Sequence, residues 1–233
     1  MSGGYAVLRG LGAALTAGLV ATGALSAAPG LVRTTETAEL GWPAASTQLV
    51  LRPGPGSVQI REGSVPGISV EQTWSFADPE PTVTTSGAGV TTVALNCSQG
   101  LVTRCQGDWE IVVPEGTDLV VDGAVGDIEL EGVTGRVRVD AAAGDVHLSG
   151  SPVVVDASLD LGTISAVLSE APAEVRARTN LGDIELIVPG DVAYDVRTRA
   201  DAADVQVRVE HDPGSPHRID MTTNLGSIRI DRG

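Results

Sequence analysis

Carboxylates recur through the second half of this chain at Asp127/Glu129, Asp145, Asp183/Glu185 and Asp204. Arginines form a second set at Arg136/Arg138, Arg176/Arg178, Arg197/Arg199 and Arg218. Acids that move a proton beside arginines that hold a negative substrate are what some β-helical enzymes use on acidic polysaccharides. That chemistry also needs a cleft, and a cleft needs long excursions between repeating units. Here the units are 18, 18, 20, 21 and 23 residues apart, measured from Gly126 through Gly144, Gly162, Gly182 and Ala203 to Gly226. Nearly all of that length is used in the unit itself, so a carbohydrate-active enzyme is the remote reading. His147, His211 and His217 are the three histidines, and their spacing fits no zinc pattern. The calcium-binding nonapeptide GGxGxD is absent. No GxSxG, P-loop or dinucleotide fingerprint occurs outside residues 10–32. The sequence predicts no enzyme, no metal site and no cofactor.

The acids belong to a ten-residue frame. Its copies are VDGAVGDIEL (121–130), VDAAAGDVHL (139–148), ASLDLGTISA (157–166), ARTNLGDIEL (177–186), TRADAADVQV (198–207) and MTTNLGSIRI (221–230). An earlier copy, LRPGPGSVQI (51–60), keeps Gly56 and Val58. A period near 20 with one turn residue and one β-branched residue in fixed places predicts a stack of repeats. Gly56, Gly126, Gly144, Gly162, Gly182 and Gly226 suit a corner with unusual dihedrals. Asp or Asn beside the glycine can bond the turn backbone. Alternation sends Val137/Val139, Val153/Val155, Val175/Ala177, Val196/Thr198 and Ile219/Met221 inward in the first segment of each unit. In the second segment it sends Ile128/Leu130, Val146/Leu148, Ile164/Ala166, Ile184/Leu186, Val205/Val207 and Ile228/Ile230 inward. The expected architecture is all-β: a β-solenoid of ~20-residue repeats behind an N-terminal signal-anchor helix. An antiparallel meander or sandwich is the alternative. The acids Asp127, Glu129, Asp145, Asp183, Glu185 and Asp204 then form an outward ladder. It reads either as a solvated face or as an interaction face.

Before the repeats, residues 49–118 alternate short Val- and Thr-rich runs with Gly, Pro, Asp and Ser, which are strand-and-turn signals. Cys97 and Cys105 bracket a short loop there. An isolated close pair in an exported chain predicts a hairpin disulfide. Export is read from residues 10–32, which carry no charge and are long enough to span a bilayer. Read as an uncleaved anchor, they make the chain a single-pass membrane protein with its C-terminal part extracytoplasmic. Read as a cleaved signal, with Ala24 and Ser26 at the cut, they make it secreted. The division is thus 1–33 anchor, 34–48 linker, 49–118 first β region and 119–233 repeat domain. A net charge of −15, with fifteen arginines and no lysine, excludes nucleic acid and an anionic lipid surface as partners.

Tandem xxxxGD[IV]x[LV] units behind a membrane segment and a Trp- and Cys-bearing β region resemble the DUF4097 family. The similarity covers about residues 34–233, with the fullest units at 121–130 and 177–186. The resemblance implies β-strand repeats, a bacterial and mainly actinobacterial envelope location, and an adhesin-like role with no established activity. Ala203 replaces the glycine, and Thr163 and Ser227 replace the acid, so those units read as degenerate copies or a cap. An envelope protein or a carbohydrate is the expected partner. A sensory or regulatory partner of an envelope protein is the alternative function.

Overall fold

The computed structural model describes residues 33–75, 79–97 and 104–233. The anchor expected over residues 10–32 lies outside them. The described residues form strands β1 (Thr34–Leu40), β2 (Gln48–Arg52), β3 (Val58–Glu62), β4 (Gly67–Ser75), β5 (Glu80–Thr85), β6 (Val90–Asn96), β7 (Arg104–Val113), β8 (Asp118–Val125) and β9 (Ile128–Val133). Then follow β10 (Val137–Ala143), β11 (Val146–Gly150), β12 (Val154–Leu161), β13 (Ile164–Leu168), β14 (Glu174–Leu181), β15 (Ile184–Val188), β16 (Asp195–Val207) and β17 (Arg218–Arg232).

Each repeat folds as one layer of a solenoid, with a first arm, a corner at the frame glycine and a second arm. First arms pair parallel, β8 with β10, β10 with β12, and β12 with β14. Second arms do the same through β9, β11, β13 and β15. The register sets like on like, for example Val139 on Ala157 and Ile164 on Ile184. This is why a period-2 apolar pattern repeated every ~20 residues gives a solenoid: each inward row needs the next layer to cover it. Both rows enter one core, from Leu119 and Ile128 through Val155 and Ile164 to Ile219 and Ile228.

Layer order departs from chain order at both ends. Strand β17 pairs with β14 and β15 on one side and with β16 on the other. The last repeat of the sequence is therefore internal, and the unit carrying Ala203 is the outermost layer. At the other end, β2 lies between β6 and β8, and β3 between β7 and β9. Residues 48–62 thus belong to the same stack as residues 118–232. No boundary separates the 49–118 region from the repeats. The expected 34–48 linker also changes: residues 34–40 form β1, antiparallel to β4, which is antiparallel to β7. With β5 antiparallel to β6, these strands cover the edge at this end. The antiparallel alternative is thus realised, but only as this cap.

The inward assignments hold in the interior layers except at Val153, and fail at the end formed by β16. Val205 and Val207 are 41 % and 40 % exposed, and Thr198 is exposed, because among the described residues no strand covers the far side of β16. Val153 precedes β12 and is exposed too. Ile184 packs between Ile164 and Ile228, because β17 and not β16 follows β15 in the stack.

Candidate interaction faces of the stack

The corner is built from glycine and the acid after it. Gly56, Gly126, Gly144, Gly162, Gly182 and Gly226 all have positive φ, between 122° and 144°. A side chain there would also strike the neighbouring layer: a Cβ on Gly182 would sit 1.9 Å from the carbonyl oxygen of Gly162. Layers approach this closely because nothing projects from the corner.

Beside each glycine the acid holds the adjacent layer. Asp127 accepts from the Asp145 amide at 3.0 Å, and Asp145 accepts from the Thr163 amide at 2.8 Å. Asp183 accepts from both the amide and the hydroxyl of Ser227, each at 2.7 Å. Asp108 does the same for Ser57. Three of the expected interaction-face residues, Asp127, Asp145 and Asp183, are thus spent on the corner. Thr163 and Ser227 keep the corner bond although neither is an acid. Both stack on an aspartate: Ser227 donates its amide and its hydroxyl to Asp183, and Thr163 donates its amide to Asp145, as Asp145 does to Asp127.

Glu129 and Glu185 lie elsewhere, on the outer face of the second arms. There Gln59 Nε2 donates to Glu129 at 3.1 Å, and Arg229 lies 4.0 Å from Glu185. With His147 and Ser165 between them in the ladder, this face mixes acid, neutral and base. Asp204 is exposed on the outermost layer. The arginine face is mixed as well: Asp156 lies between Arg138 at 3.9 Å and Arg178 at 3.5 Å, and Arg52 pairs with Asp122. Exposed pairs of this kind add little stability but keep the surface from carrying one sign.

One feature escapes the alternation rule. The residue before each corner glycine turns outward, and parallel register stacks these residues from layer to layer. Pro55 bridges to Val125, Val125 pairs with Ala143, and Ala143 with Leu161. Leu161 pairs with Leu181, Leu181 with Leu225, and Leu225 with Ala202. Val125, Leu161, Leu181 and Leu225 are 46, 53, 46 and 50 % exposed. The fifth frame position shows this signal in the sequence, being aliphatic or proline in every copy.

Cys97 and Cys105 form the disulfide, with Cα atoms 6.0 Å apart. It joins the end of β6 to β7 two residues ahead of Gly107, which takes the corner place in this layer: the Gly107 amide donates to the Pro55 carbonyl at 2.9 Å, as the Gly56 amide does to Val125. His211 and His217 serve the C-terminal turn: His211 Nδ1 accepts from the Val196 amide, and His217 Nδ1 lies 2.8 Å from the Pro172 carbonyl. Beneath them Tyr194 is fully buried and donates its hydroxyl to the Pro189 carbonyl at 2.9 Å. Burial, with Asp191 nearby, raises its phenol above the ordinary range.

Among solved structures, a "putative cell adhesion protein" from Clostridium sporogenes ATCC 15579 is similar at 12 % identity. The match covers 87 % of this chain and all of that one, with a TM-score of 0.52, and so speaks for the fold alone. A "putative adhesin" from Bacteroides fragilis NCTC 9343 aligns at 14 % identity over 84 % of this chain and 97 % of that one, with a TM-score of 0.39. No curated protein matches. The Toastrack DUF4097 family profile matches residues 46–231, the whole solenoid from β2 to β17, and the chain belongs to that family.

Proposed function

We propose that this chain works outside the cytoplasm, held to the membrane by residues 10–32, as a non-enzymatic stack with an adhesin-like role. One observation carries the non-enzymatic part. The recurrent carboxylates at the corner accept hydrogen bonds from the next layer's backbone. Their chemistry is spent on holding the stack, whereas a general acid or base must reach a substrate. The fold neighbours support an adhesin-like surface, and the uncharged segment ahead of a disulfide-bearing β fold supports export. Fractionation of cells making the full chain tests the location. The chain is expected in the membrane fraction, open to protease added from outside. Recovery from the cytosol refutes export, and release of a protein beginning near Ala27 refutes the anchor. Incubation with acidic polysaccharides is expected to give no new reducing or unsaturated ends, and turnover would overturn the non-enzymatic reading.

A further inference from the structure

The outward row at the corner is an exposed apolar ridge along the length of the solenoid. Isolated exposed leucines are ordinary, but leucines stacked layer on layer make a continuous stripe. From Pro55 to Ala202 it takes six steps of about 4.8 Å, roughly 29 Å in all. Carboxylates border it on both sides. Asp127, Asp145, Asp183 and Asp204 follow the corner glycine position, and Asp160 and Asp201 precede the ridge. No Arg stands at the third to eighth frame positions of any copy. Asn180 donates to Asp160 at 2.8 Å and Asn224 to Asn180 at 3.1 Å, so this border is itself a held ladder.

We infer that the ridge is a docking site for a cationic amphipathic helix of a partner protein, lying along the solenoid axis. Charge decides the occupant. A second copy meeting ridge to ridge would set carboxylate borders against each other, and an anionic lipid surface would repel them. A narrow apolar stripe edged with Lys or Arg satisfies both the leucines and the acids. Geometry agrees: a helix advances 5.4 Å per turn, close to the layer spacing, so successive turns meet successive ridge residues. About 20 residues would cover it, at 1.5 Å per residue. The inference deepens the reading of a partner-binding stack by naming the face and the partner's chemistry, and it does not depend on export.

The test uses the full chain and a synthetic helical peptide of about 20 residues, with one leucine stripe edged by lysines. A second peptide has glutamates in place of the lysines. Binding is read by fluorescence anisotropy, with thermal unfolding as the check on folding. The lysine peptide is expected to bind and the glutamate peptide not to. The triple variant Leu161→Asn, Leu181→Asn, Leu225→Asn should weaken binding by about tenfold or more. The pair Val167→Asn, Ile187→Asn, exposed elsewhere on the second arms, should leave it unchanged. Should the triple variant fold poorly, Asp160→Lys serves: it should weaken the lysine peptide and admit the glutamate one. Equal binding of both peptides, or equal loss in the Val167/Ile187 pair, overturns the inference. So does a wild-type dimer in sedimentation that the triple variant abolishes, or ridge-dependent binding to vesicles. Recovery of the chain from the cytosol would refute the location and leave this binding result standing.

Discussion

At the scale of single residues, the corner separates glycines that look alike. Gly182→Ala should cost several kcal/mol, because the new methyl meets a backbone carbonyl of the next layer at positive φ. Gly132→Ala also has positive φ but open space around it, so about 1 kcal/mol is expected. Asp183→Ala removes the acceptor of two Ser227 donors and should cost about 1–3 kcal/mol, while Glu185→Ala, 4.0 Å from exposed Arg229, should cost about 0.5 kcal/mol or less. Denaturant unfolding of these four variants checks both contrasts. Tyr194 adds a pH dependence. Its phenol is raised by burial, so its share of stability is whole below about pH 10, the ordinary tyrosine value, and is lost as pH climbs through the raised value. Tyr194→Phe should flatten that alkaline loss, at about 1 kcal/mol near neutrality for the missing bond to Pro189.

At the scale of elements, inward rows hold the arms and outward rows tolerate change. Ile184→Asp would bury a charge between Ile164 and Ile228 and should cost several kcal/mol. Glu185→Gln on the opposite face should stay within about 0.5 kcal/mol. If thermal unfolding reverses that order, the faces are assigned one residue out of step. The disulfide belongs to this scale too, because it ties the two arms of the outermost N-terminal layer together just ahead of the Gly107 corner. Reducing it should cost about 2–3 kcal/mol by loop entropy, with intact mass rising by about 2 Da on reduction.

At the scale of the whole molecule, the layer swap reverses what the chain ends imply. Strand β17 is C-terminal yet lies between β14/β15 and β16. Its amides, apart from the fraying tip, should exchange with deuterium more slowly than those of β16, which forms the open end. Truncation before Arg218 should then lose two layers, since β16 would have no parallel partner. A truncated chain that keeps slow exchange over residues 195–207 would refute the order.

The sequence by itself determined an all-β stack, the corner glycines and most inward rows of the interior layers through its repeat frame, and the paired cysteines through their close spacing. Each of these follows from local rules: side-chain alternation, glycine at positive φ, and cysteine proximity. Three things were decided only by tertiary structure. The order of layers depends on which edges the chain returns to, and the period of 20 is blind to a skipped layer. Hence Ala203 reads as a decayed copy in sequence and as the end of the stack in space. That Asp127, Asp145 and Asp183 could bond the corner was legible from their place beside the glycine, but the amide each one holds lies in the next layer, 18 to 44 residues away, and only the stacking supplies it. The ridge of Leu161, Leu181 and Leu225 needs both facts at once, a corner that turns the fifth position outward and a register that stacks it.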